Sequence, residues 1–310
     1  MDDAAPPEVR HLAEQRADAR AAGDYQTADE LRDRIAAAGW AVIDGPEGWR
    51  LDPVVPPSVE PLRPQDVPSV LDRDPSADVS IHWVVEGWPE DVVRAIRSFR
   101  ATTGGRDVQY VVADVTQADP ATFGDDVEVL SLAAGTGWAA ARNAGLRRST
   151  GRIVLAVDGS LEAAGDVLGP LEAELADPTV GVCGPFGIVT EDLREFDPAR
   201  GAECDAVEGY CMAMRREILR EAGLFDEKFT WYRTADIDYS FRVKAAGYRT
   251  TVVEVPVERH EHRMWFNTPP AERAKWSKRN FYRFLDRWRD RMDLTIAGRR
   301  TDGRGSAEPG

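Results

Sequence analysis

Residues 151–160 read GRIVLAVDGS. Ile153, Val154, Leu155, Ala156 and Val157 form a continuous apolar run of strand length, the pattern of a strand buried on both faces. Asp158, Gly159 and Ser160 end it. In an open α/β sheet, ligands sit just beyond the carboxyl ends of such strands. A carboxylate at that point is placed to hold a divalent cation against a diphosphate. The same Asp can also do no more than open a turn.

Strands and helices alternate around this stretch. Val79–Val85 reads as a strand, and Glu90–Arg100 as a helix with Val92, Val93, Ile96 and Phe99 inward. Val108–Ala113 is a strand ending at Asp114, Val127–Leu132 another, and Trp138–Ser149 a helix. Beyond Asp158 come a helix over Asp166–Ala176 and a strand over Val180–Cys183. This rhythm predicts an α/β fold with a mainly parallel sheet flanked by helices. Lys275–Met292 reads as a final helix. It carries an apolar stripe (Phe281, Leu285, Trp288, Met292) and an arginine stripe (Arg279, Arg283, Arg287, Arg291) at i+4 spacing.

The chain has 310 residues, 43% hydrophobic and 30% charged, with a formal net charge of −15. That composition is expected of a folded soluble protein. The acidity argues against a general nucleic-acid binder. The three cysteines, Cys183, Cys204 and Cys211, have no zinc-type spacing, and the expected compartment is the cytoplasm. Charge is uneven, with ten Lys/Arg against four Asp/Glu over residues 272–300. The arginine stripe therefore has two readings: a solvated helix face, or a membrane-surface contact that would put the protein at the inner membrane face.

The organisation expected is an appendage over 1–52, a proline-rich linker over 53–77, the α/β domain over 78–298 and a disordered tail over 299–310. Residues 8–38 read as two helices broken at Gly23 and Asp24, followed by a β-hairpin around GPEG. Seven prolines between 53 and 77 favour an extended chain. The segment ADARAAGDYQTADELRDRIAAAGWAVIDGPEGWRL resembles the small C-terminal module of cysteinyl-tRNA synthetases. That resemblance would imply tRNA contact. Residues 1–52, however, carry six Arg against twelve Asp/Glu, the wrong sign for holding phosphates. A protein partner or self-association through this segment is the expectation.

Three stretches, in order, resemble the family 2 glycosyltransferases of the GT-A fold over about Val79–Trp288. They are ARNAGLRRSTGRIVLAVDGS (141–160), EGYCMAMRREILREAGLFDEKF (208–229) and ADIDYSFRVKAAGYRT (235–250). The resemblance implies transfer of a sugar from a nucleotide-sugar donor to a glycan or lipid-linked acceptor hydroxyl, inverting and assisted by Mn²⁺ or Mg²⁺. By the same resemblance Asp114 would bind the nucleotide base, and Arg142 the base or the diphosphate. Asp158 matches the first Asp of the family's DxD motif, with Ser160 in place of the second. Asp236 matches the general base, and Ala235 stands where the family has Glu. The acceptor side would be formed by Asp238 and Trp231, and His260 would complete the metal site beside Asp158. His262 lies on the same face as His260 if the strand continues. Gly145 would permit close packing of helix on sheet. The alternative is a catalytically weak relative acting as a nucleotide-sugar-binding or scaffold module.

Overall fold

A computed structural model describes residues 5–45, 48–53 and 60–304. The chain opens with α1 (Pro7–Ala21), α2 (Tyr25–Ala37) and a hairpin of β1 (Trp40–Gly45) and β2 (Gly48–Pro53). Gly23 breaks the helices with φ +77°, and Asp24 caps α2 by accepting from Thr27 N at 3.1 Å. Val9, Ala13, Ile35 and Leu51 form its small core. Arg16 grips Asp44 through two bonds of 2.8 Å.

The main sheet is built from β3 (Ala77–Val85), α3 (Pro89–Arg100), β4 (Val108–Asp114), β5 (Val127–Ser131), α4 (Trp138–Arg147) and β6 (Gly151–Val157). There follow β7 (Leu161–Ala163), α5 (Leu168–Leu175), β8 (Val180–Gly184), β9 (Gly187–Val189), β10 (Asp197–Pro198), β11 (Ala206–Val207) and β12 (Cys211–Arg215). The remainder is α6 (Ile218–Glu221), α7 (Ala235–Ala245), β13 (Arg249–Val252), β14 (Val257–Arg259), α8 (Arg263–Asn267), α9 (Pro270–Trp288) and α10 (Ile296–Arg304). Seven strands pair in the order β13-β8-β12-β6-β3-β4-β5, and only β12 runs antiparallel to its neighbours. This is the α/β sheet that the sequence rhythm predicts. Along β6, Leu155 and Val157 enter the core under α3 and α5, while Val154 and Ala156 enter the core under α4 and α7. Alternate residues thus serve opposite layers, which explains the unbroken apolar run.

Gly145 has the expected packing role. A Cβ on it would lie 1.7 Å from His82 Nε2, so α4 rests directly on the imidazole of β3. His82 is fully buried, and burial followed by the neighbouring Arg142 charge keeps it neutral.

Two boundaries differ from expectation. The proline-rich stretch is not free throughout its length. Leu62 N donates to Ser131 O at 2.8 Å, Ala133 N donates back to Leu62 O at 2.8 Å, and Val67 and Val70 are buried. Prolines prevent a long ladder but not the burial of the apolar residues between them. The sheet-bearing body therefore begins near Leu62, and residues 54–59 of the expected linker lie outside the described residues. The hairpin also touches that body: Arg73 Nη1 donates to Leu51 O at 3.0 Å, and Arg148 Nη2 to Pro53 O at 2.7 Å. At the other end, residues 299–304 of the expected disordered tail belong to α10. Residues 305–310 lie outside the described residues.

The last long helix starts earlier and stops earlier than predicted. Phe284, Leu285 and Trp288 pack with Phe241 and Leu193. The arginine stripe is not one free face. Arg287 turns inward to Asp226 and Asp238, Arg291 pairs with Asp293, and Arg279 donates to Thr230 Oγ1. Among the described residues no helix is long and apolar enough to cross a membrane.

Candidate active site

Asp158 leaves the end of β6 as the strand pattern requires. Its Oδ1 accepts from Ser160 N at 2.8 Å and from Ser160 Oγ at 2.5 Å. Its Oδ2 lies 3.2 Å from His262 Nε2. Burial opposes the charge, but the His262 and Ser160 hydrogen bonds win and hold the carboxyl down to about 2. Below it, the buried guanidinium of Arg142 donates from Nη1 to His82 O at 2.8 Å and from Nη2 to Val157 O at 3.3 Å. Burial lowers Arg142 to about 10, while Asp158 and Glu86 work to keep it charged. Glu86, at the end of β3, is pushed up to about 7 by burial and then by the Asp158 charge.

The facing wall comes from α7 and the loop before β12. Asp236, in the first turn of α7, accepts from Gly209 N at 2.8 Å and from Ile237 N at 2.9 Å. Burial still raises it above the ordinary carboxylate range, the two backbone bonds pulling the other way. Glu208 is raised as well, by burial and then by Asp236. A cavity of about 340 Å³ joins Asp158 and His262 to Glu208 and Asp236, with Trp138, Tyr210 and Tyr232 along its sides. A smaller cavity of about 50 Å³ lies on the other side of Asp158, between Glu86–Trp88 and residues 261–264.

The donor set fits part of a cation's shell. Asp158 Oδ2 and His262 Nε2 stand 3.2 Å apart. Neighbouring ligands of an octahedral ion with bonds near 2.1 Å are about 3 Å apart. Nε2 is the nitrogen that meets Asp158, and a cation there would leave the ring proton on Nδ1, which is buried without a partner. Among the described residues no group of three or more His, Cys, Asp or Glu is arranged to hold a metal. The remaining ligands would have to come from the bound molecule.

Residues 106–240 match the family profile described as Glycosyl transferase family 2. This segment is a family 2 glycosyltransferase domain. Residues 2–49 match the profile described as Cysteinyl-tRNA ligase anticodon binding domain. The pre-mycofactocin glycosyltransferase of Mycobacterium tuberculosis is 27% identical over 188 residues, covering 53% of this chain and 40% of the relative. The cysteine–tRNA ligase of Opitutus terrae is 52% identical over 48 residues, 16% of this chain and 10% of the ligase. The chain thus spans less than half the length of either relative. The solved structure of GalNAc-T7 with UDP, GalNAc and Mn²⁺ superposes with a TM-score of 0.57 at 17% identity, covering 69% of this chain and 49% of that one. At that identity the likeness shows the fold, which is of the GT-A type.

Within the glycosyltransferase domain and its flanks, several predicted site residues sit elsewhere than expected. β14 ends at Arg259, so His260 does not share a face with His262. His260 Nε2 pairs with Glu162 Oε1 at 2.7 Å, and His262 is the residue beside Asp158. Asp114 is fully buried and holds its own loop, accepting from Thr116 N and Ala118 N at 2.8 Å each. It lines neither cavity. Asp238 faces α9, where Arg287 Nη1 and Trp288 Nε1 donate to it at 2.8 and 2.9 Å. Trp231 is buried, its ring tilted against Tyr232 and Trp276, and Tyr232 meets the cavity in its place. Ser160 reaches Asp158 as a hydrogen-bond donor. Ala235 is buried, and the second carboxylate of this wall comes from Glu208. Glu208 opens the EGYC stretch, twenty-eight residues before Asp236 in the chain, whereas the family motif has its acid next to Asp236.

Proposed function

We propose that the protein transfers a sugar from a nucleotide-sugar donor to an acceptor hydroxyl with inversion, Asp236 acting as general base. The observation that carries this is one cavity holding a strongly ionised carboxylate beside an imidazole at one end and a carboxyl of raised pKa at the other. A base with a raised pKa is a better proton acceptor near neutrality. Asp236 takes the acceptor's O–H proton. The oxygen attacks the anomeric carbon, and the bond from that carbon to the diphosphate oxygen breaks, releasing the nucleoside diphosphate. Asp158 and His262 are the residues that would hold Mn²⁺ or Mg²⁺. When bound, the cation supplies positive charge against the departing diphosphate. Arg142 balances Asp158 and Glu86 from beneath, which keeps this end charged without exposing it to water. Glu86–Trp88 and residues 261–264 border the small cavity beside Asp158 and are the proposed nucleotide side.

Thermal melting with UDP tests the donor half. At a hundred times Kd a ligand adds about 2.7 kcal/mol, which is about 5–10 °C for a body of this size. The stabilisation should appear with Mn²⁺ and shrink with EDTA. His262→Ala should remove the Mn²⁺-dependent part, and His260→Ala should keep it. Equal stabilisation with Mn²⁺ and EDTA, or the opposite histidine ranking, overturns the assignment.

A further inference from the structure

We infer that the acceptor is an amphipathic acid: a hydroxyl-bearing molecule with an apolar, ring-sized body and an oxyanion that is met by Arg194 and Arg233. The inference rests on the donor and acceptor reading above and names the acceptor class for that site.

The acceptor half of the 340 Å³ cavity combines an apolar wall (Ile188, Phe196, Ile237 and Phe281) with two guanidinium groups, Arg194 and Arg233. The chain is acidic, with a net charge of −15, and most of its arginines are ion-paired. Among the described residues, neither of these two has an ion-pair or hydrogen-bond partner for its side chain. The nearby acid Asp192 spends Oδ1 on Arg194 N and Glu195 N, at 2.8 and 3.0 Å.

Both arginines are exposed residues beside buried or constrained backbone. Leu193, just before Arg194, is buried with φ +63° and is seated in the core with Phe241 and Phe284. Thr234, just after Arg233, has φ +72° at the start of α7. Such a conformation in a residue with a Cβ costs of the order of 1–3 kcal/mol and persists only where the surroundings enforce it. The Arg233 guanidinium lies over the Trp265 ring, 5.0 Å from its centroid, a ring that Arg273 also meets at 4.5 Å. The edge of a guanidinium is the part that forks onto a carboxylate. The apolar wall would take the hydrophobic body of such an acceptor, while Glu208, Asp236, Tyr210 and Tyr232 line the same cavity.

The same arginines could meet the donor's diphosphate instead, and calorimetry separates the two sources. With protein, Mn²⁺ and saturating UDP, we would titrate 4-(hydroxymethyl)benzoate and, separately, 4-(hydroxymethyl)benzamide, which differ only in the charge. The acid should bind at least about tenfold more tightly than the amide, and Arg233→Gln or Arg194→Gln should erase the preference. Equal affinity for acid and amide, or no measurable binding of the acid at millimolar concentration, overturns the inference. So does a loss of UDP affinity in Arg233→Gln with the acid preference intact. Failure of wild-type protein to bind UDP would instead be a failure of the donor reading.

Discussion

Asp236→Asn should lower turnover by at least about 100-fold while the protein stays folded and still binds UDP. The native carboxylate accepts from Gly209 N and Ile237 N. An amide has one acceptor oxygen, so one of these N–H groups loses its partner, at about 1 kcal/mol. Against this, the substitution removes a charge whose burial already raises its pKa, so the net change in stability should be small. The pH profile adds a signature. The base works only when ionised, so kcat/KM should rise with pH, and its acid limb should lie above the ordinary Asp value near 3.9. Residual activity in Asp236→Asn should lack that limb. Glu208→Gln is the decisive comparison, because Glu208 shares the wall and is raised as well. If Glu208→Gln loses turnover and the limb while Asp236→Asn keeps both, the base is Glu208.

Gly145→Ala should be strongly destabilising. The added carbon would lie 1.7 Å from His82 Nε2, 2.1 Å from Cδ2 and 2.7 Å from Cε1. The imidazole has no room to retreat, because Arg142 Nη1 lies 3.0 Å from its other nitrogen and the ring is wholly buried. Helix α4 would have to lift off β3 and carry Arg142 with it. Ordinary overpacking costs 1–3 kcal/mol, and this contact is closer than ordinary, so we expect about 3 kcal/mol or more. That corresponds to a fall in Tm of roughly 6–12 °C. Pairing it with His82→Ala should return a large part of the loss, because the two changes share one space. A Tm within 2 °C of wild type for Gly145→Ala alone would show that the helix accommodates the methyl.

The strands, and the ends from which Asp158 and Asp236 enter the site, were legible because apolar runs and turn residues are local signals. What failed was orientation. Asp238 follows Asp236 by two residues, about 200° around a helix, so one faces the cavity and the other faces α9. His260 and His262 depended on whether a strand went on for three more residues, and β14 stops at Arg259. Glu208, Arg194 and Phe281 come to the cavity from three separate parts of the chain, and no spacing rule connects them. The proline-rich segment misled for a related reason. Composition reports what a stretch cannot form and is silent on what it lies against.

The Asp238–Arg287–Trp288 contact separates two borders that are easily taken for one. The glycosyltransferase family profile matches residues 106–240. Mechanical support is wider on both sides. Strand β3, in the middle of the sheet, lies before that segment, and the partners of Asp238 lie nearly fifty residues after it. A fragment trimmed to residues 106–240 would strand a carboxylate that is 1% exposed in the whole protein. Removing one partner of a fully buried pair costs about 3–5 kcal/mol, and somewhat less here because Arg287 is one-third exposed. Helix α9 is thus a keystone for the wall that carries Asp236, and the mechanical unit runs from Leu62 through α9 to at least Ile296, whose N–H meets Asp205.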